Sequence, residues 1–158
     1  GLADIVKNNY PDAEAIAGTS TAGIAHAALV ANILGLPMAY VRASAKDHGR
    51  NNQIEGKIDP GQKVVVIEDL ISTAGSVIDV VNVLREHGAE VLGIASIFTY
   101  GMQKGLDRLA AAEVKNISLS NYNALVSVAH ETGYISEGDI KKLEAFQKNP
   151  SDESWQSL

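Results

Sequence analysis

The stretch from Val64 to Ser76, VVVIEDLISTAGS, sets residues that can bind a ligand directly against residues that build a strand. Val64, Val65, Val66 and Ile67 are apolar β-formers. Glu68 and Asp69 follow at once, and Leu70 and Ile71 then lead into Ser72, Thr73, Ala74, Gly75 and Ser76. A loop of small residues that enters a helix suits an anion: successive backbone N–H groups and the helix dipole attract it, and small side chains let the backbone approach. Two carboxylates facing that same anion would repel it, so they suit hydroxyl donors on a neighbouring part of the ligand. In a sugar phosphate the vicinal hydroxyls lie about 5 Å from the phosphate, inside the roughly 7 Å span of two extended residues. The spacing points to a ribose 5-phosphate. The plainer alternative is a solvated strand end followed by an ordinary turn.

The elements around this stretch must place it at a strand's carboxyl end. Helical signals run over Leu2 to Tyr10, Thr21 to Leu36, Ser76 to His87 and Gln103 to Ala112, and two further helices follow near the C-terminus. Gly35 with Pro37, and Gly88, supply the stops. Strand signals run over Glu14 to Gly18, Met38 to Ala43, Val64 to Leu70, Glu90 to Tyr100 and Val114 to Leu119. The unbroken apolar run before Glu68 is what a parallel strand covered on both faces requires. Alternation of this kind predicts an α/β fold with a doubly wound, mostly parallel sheet flanked by helices. Ligands of such sheets bind beyond the carboxyl ends of the strands, which puts Glu68, Asp69 and the loop in the crevice. One core domain is expected over residues 1–150, with a polar stretch at 44–61 read as a mobile loop and a polar tail at 151–158. Trp155 in that tail is assigned no role.

Composition excludes several other classes. The chain has 158 residues, 46% hydrophobic and 20% charged, which is an ordinary globular balance for one domain. No run of about 18 apolar residues offers a membrane span, and Gly1-Leu2-Ala3-Asp4 has neither the basic nor the apolar region of a signal peptide. The absence of cysteine rules out disulfides and thiolate metal sites. A net charge of -6 opposes a phosphate-tracking surface for nucleic acid. The expectation is a cytoplasmic protein with neither nucleic-acid nor membrane partners.

The thirteen-residue stretch closely resembles the 5-phosphoribosyl-1-pyrophosphate (PRPP) signature of type I phosphoribosyltransferases. A second stretch, YVRASAKDHGRNNQIEG from Tyr40 to Gly56, is similar to the mobile catalytic loop of the orotate-specific members, with its Arg and then Lys-Asp-His-Gly. AGTSTAGIAHAALVA and LSNYNALVSVA resemble further stretches of the same enzymes, so the likeness runs over nearly the whole chain. The Lys-Asp-His-Gly loop argues against the members that act on purine bases or uracil. Retained loop cations and the acidic balance argue against a non-catalytic nucleotide sensor.

The resemblance implies the type I phosphoribosyltransferase fold and a Mg²⁺-dependent homodimer that joins orotate to PRPP. It implies catalytic roles for Lys46, His48 and Asp69. PRPP would be bound by Arg42, Lys46 and His48 at the pyrophosphate, by Glu68 and Asp69 at the ribose, and by the run Leu70, Ile71, Ser72, Thr73, Ala74, Gly75 and Ser76 around the 5′-phosphate. Ser72 would also meet orotate. Metal would be reached, if at all, by Glu68 and Asp69 through water, and the loop carrying Arg42 to His48 would be shared across subunits. His26, His87 and His130 are read as structural, and Tyr100 stands between a base-pocket and a packing role.

Departures from the family pattern fall on the orotate side. Ala43 stands where many members carry a second basic residue, Ala22 where some carry lysine, and the region of Thr99 lacks an arginine. Family chains begin some tens of residues earlier, with a segment that lines the orotate pocket. A fragment or natural truncation is therefore expected, one that binds PRPP with Mg²⁺ and turns orotate over slowly.

Overall fold

The computed structural model describes residues 1–42 and 53–157. Lys46 and His48, with half of the predicted loop 44–61, lie outside the described residues. Helix α1 (Leu2–Asn9) precedes β1 (Ala15–Thr19), α2 (Ala22–Leu34) and β2 (Met38–Val41). Then come β3 (Ile54–Glu55), β4 (Lys63–Ile71), α3 (Gly75–Glu86), β5 (Glu90–Thr99), α4 (Gln103–Ala111) and β6 (Asn116–Asn121). Helices α5 (Tyr122–Glu131) and α6 (Glu137–Lys148) complete the sequence, followed by a 3-10 turn at Glu153–Ser157.

One sheet holds all six strands in the order β3-β2-β1-β4-β5-β6. Every neighbour pair is parallel except β2 with β3. Strand β4 shows why the apolar run is unbroken. Val64 and Val66 face a core layer with Val77, Val81 and Leu84 of α3, while Val65 and Ile67 face the opposite layer with Val6 of α1 and Ala27, Val30 and Ala31 of α2. Side chains alternate across a strand, so a sheet covered on both faces needs apolar residues at consecutive positions. Each of these buried Val, Leu and Ile side chains stabilises the fold by roughly 1.5–3 kcal/mol. Chain direction also fixes where a ligand can sit: from β1 the chain crosses through α2 to β2 on one side, and from β4 through α3 to β5 on the other. The carboxyl ends of β1 and β4 therefore flank the topological switch point.

Three local differences from the sequence reading have identifiable causes. The polar stretch 44–61 contains a strand, β3, whose Ile54 and Glu55 pair with Val41 and Tyr40; two residues are too short for a periodic signal. Val114 is not in a strand. It ends α4: its amide donates to the Leu109 carbonyl at 3.1 Å, Glu113 donates to Ala110 at 3.0 Å, and Glu113 takes φ 49°. That is a left-handed helix cap whose buried Val114 and Leu109 make the accompanying apolar contact. An apolar residue used in a helix cap reads in sequence like the start of a strand. Finally, Trp155 is not incidental, because the 3-10 turn returns its ring to 5.4 Å from Phe146. Phe146 continues a chain of ring contacts through Tyr122 and Tyr100 to Phe98. Tyr100 thus packs among aromatics. Among the described residues, no helix is long and apolar enough to cross a membrane.

Candidate functional site

Glu68 and Asp69 stand together at the end of β4, but the fold treats them differently. Glu68 is 5% exposed, whereas Asp69 is half-buried. The Thr19 hydroxyl, from the end of β1, donates to Glu68 Oε1 at 2.7 Å, and the Asp69 amide donates to the same oxygen at 3.0 Å. Burial of the carboxyl, then the neighbouring Asp69 side chain, push the Glu68 pKa up from 4.5 to about 7, against the pull of the Thr19 bond. Loss of water disfavours the charged form, and a second carboxylate alongside adds to that.

Close approach of α2 makes this junction possible. Gly23 sits so near the strand ends that a Cβ there would stand 2.7 Å from the Ile67 carbonyl oxygen and would also clash with the Thr19 hydroxyl. Gly23→Ala should therefore destabilise the fold by roughly 1–2 kcal/mol through forced displacement of α2. Urea denaturation measures this, and an unchanged midpoint would contradict the packing argument.

Beyond β4 the chain turns through Ser72, Thr73 and Ala74 into α3. Ala74 takes φ 60°, a left-handed conformation that costs a residue with a Cβ roughly 1–2 kcal/mol. Its methyl group is buried against the core, which holds the turn in place. The amides of residues 72–77 donate no hydrogen bond among the described residues, and no side chain caps α3. Unspent donors at a helix N-terminus are the arrangement that suits an anion. Within the run, Ile71 turns its side chain into the core and offers its carbonyl to the Tyr100 amide at 2.9 Å, while Leu70 is exposed. Ser76 is exposed, and Ser72, Thr73 and Gly75 are half-buried.

The structure brings Arg42 to this loop. A cavity of about 90 Å³ is lined by Thr19, Ser20, Arg42, Gln53, Ser76 and Asp79, among others. Arg42 is held by a backbone bond to the Gln53 carbonyl at 2.9 Å and lies 3.7 Å from Glu55 across the β2–β3 pair. That same Nη1, the atom nearest Glu55, is buried without a hydrogen bond among the described residues. Thr19, Ser20, Gln53 and Asp79 were not singled out from sequence. The polar run Thr19-Ser20-Thr21 directly after an apolar strand and before a helix is the signal that would have found the first two. The histidines are placed elsewhere: His87 Nε2 lies 2.9 Å from the Ile58 carbonyl, and His130 lines a separate cavity of about 250 Å³ between α5 and α6.

The chain is similar to known proteins along nearly all of its length. The sequence profile of the phosphoribosyl transferase domain matches residues 2–132. An orotate phosphoribosyltransferase of Bacillus cytotoxicus is 57% identical over 155 residues, 98% of this chain and 74% of the relative. That of Bacillus cereus strain G9842 matches with the same identity and coverage. The crystal structure of orotate phosphoribosyltransferase from Aeropyrum pernix is similar with a TM-score of 0.70 and 28% identity, over 85% of this chain and 76% of that one. Leishmania donovani UMP synthase shares the fold at a TM-score of 0.77 and 24% identity, over 92% of this chain and 31% of that one. The fold is that of the type I phosphoribosyltransferases, and identity at this level over nearly its whole length makes the chain a member of the orotate phosphoribosyltransferase family.

Proposed function

We propose that this chain transfers the 5-phosphoribosyl group of PRPP to N1 of orotate, giving orotidine 5′-monophosphate and pyrophosphate in pyrimidine synthesis. The observation that carries the reading is the set of unspent amides at residues 72–77 beside Glu68 and Asp69, in a chain 57% identical to orotate phosphoribosyltransferases. The loop amides receive the 5′-phosphate. Asp69 and Glu68 accept hydrogen bonds from the ribose hydroxyls, and Ser72 meets orotate. Arg42, with Lys46 and His48, meets the pyrophosphate.

In the reaction the bond from C1 to a pyrophosphate oxygen breaks and its electron pair leaves with that oxygen. Orotate N1, having lost its proton to solvent, forms the new bond to C1. Positive character grows on the sugar and negative charge on the leaving group, so cations that meet this charge lower the barrier. Holding N1 close to C1 supplies the rest through positioning.

Mg²⁺ fits the donor set only as a partner of the substrate. Among the described residues no group of three or more His, Cys, Asp or Glu forms a cage. Mg²⁺ retains several waters and is commonly held by one or two carboxylates with substrate phosphates, and Asp69 and Glu68 would serve in that way through water. When bound, it would neutralise charge on the pyrophosphate.

The working unit is a homodimer in the cytoplasm, with the Arg42–His48 loop reaching the neighbouring subunit's site. Lys46→Ala should lower kcat at least about tenfold, or roughly 1.4 kcal/mol of transition-state stabilisation. Mixed dimers of Lys46→Ala and Asp69→Ala chains should regain part of the activity, since one site of each pair keeps both groups. No recovery in verified mixed dimers would reject the shared loop. A panel of orotate, uracil, adenine and hypoxanthine with PRPP tests the base, and turnover of a purine in preference to orotate would overturn the assignment.

A further inference from the structure

An anion loop works only if its peptide units are turned the right way. A trans peptide carries its carbonyl opposite its N–H, so the direction of the Thr73 carbonyl fixes that of the Ala74 amide. That carbonyl is held from outside the crevice. Arg108 Nη1, on α4, donates to the Thr73 carbonyl oxygen at 3.0 Å and to Thr73 Oγ1 at 3.3 Å. The same guanidinium lies over Gly75, where a Cβ would stand 3.1 Å from Nη1. Gly105, one helical turn earlier and so on the same face, brings α4 close enough that a Cβ would sit 2.5 Å from the Ser72 carbonyl oxygen. Two residues of α4 thus bear on two successive loop carbonyls, leaving the Ala74 amide pointing away from α4.

We propose that Arg108 is a positioning residue for the phosphate loop. It fixes the outward carbonyl of Thr73, and so the inward amide of Ala74, without touching the ligand. The left-handed Ala74 gives the loop a reason to relax elsewhere when this contact is lost. The inference rests on reading the loop as the 5′-phosphate site. Because Arg108 is exposed, its substitution leaves the core intact.

Two measurements on the full chain decide it. In steady-state kinetics with PRPP and orotate, Arg108→Gln should raise KM for PRPP at least fivefold while kcat stays within twofold. Arg108→Lys returns the charge but not the planar fork, and should recover less than half of that loss. In NMR relaxation on the ligand-free protein, the backbone order parameters of segment 72–77 should fall from about 0.85 toward about 0.6 in Arg108→Gln, with the later turns of α4 unchanged. Unchanged order parameters, or full recovery by Arg108→Lys, would overturn the proposal. If the wild-type protein neither binds PRPP nor turns it over, the functional reading fails, and the relaxation result still decides the role of Arg108.

Discussion

Asp69→Asn lowers kcat/KM for PRPP at least a hundredfold while leaving the fold intact. Asp69 is the half-buried member of the acid pair, and its carboxylate, beside that of Glu68, can accept from ribose hydroxyls. Hydrogen bonds to a charged group are worth about 1.5–3 kcal/mol each. Asparagine keeps the shape but loses the charge and one acceptor oxygen, so a loss of about 2.7 kcal/mol in transition-state stabilisation is expected. Steady-state kinetics with varied PRPP gives the number directly, and circular dichroism checks the fold. A change smaller than threefold would remove Asp69 from the site and leave the ribose to other groups.

The second large effect is on stability and belongs to Glu68. In the native protein this carboxyl keeps its proton up to about pH 7, whereas its ordinary value is 4.5. Between those values the folded state binds more protons than the unfolded chain. The stability contributed is therefore fully present below about pH 4.5 and is lost as pH rises through about 7. A shift of this size corresponds to something on the order of 3 kcal/mol. Glu68→Gln keeps an oxygen for the Thr19 hydroxyl and the Asp69 amide but has no proton to lose. At pH 8 the variant should be more stable than wild type by that amount, and near pH 4.5 the difference should shrink toward zero. Urea denaturation across this range measures it, and parallel curves for the two proteins would refute the raised pKa. A ligand rich in hydroxyl donors favours the ionised carboxylate, so wild-type PRPP affinity should fall as pH drops below about 7, and Glu68→Gln should abolish that dependence.

Features that short stretches of chain control are legible before folding. The consecutive apolar residues Val64 to Ile67 announced a strand buried on both faces, and both core layers use it. Gly35 and Gly88 announced helix ends, and both take the positive φ that a glycine accepts without a Cβ clash. The acid pair and the small-residue loop were legible because strand, carboxylates and amides lie within thirteen consecutive residues.

How those groups behave depends on contacts between distant segments. Glu68 and Asp69 look alike in sequence; Thr19, 49 positions away, and the burial that comes with α2 give Glu68 a different proton affinity. Arg42 meets Ser76 across a cavity that β2 and α3 create from distant segments. Arg108 reaches Thr73 across 35 positions, and Val114 and Trp155 find roles in a helix cap and an aromatic chain. Burial and long-range contact set a carboxyl's pKa and a carbonyl's direction, and neither exists until the chain has closed on itself.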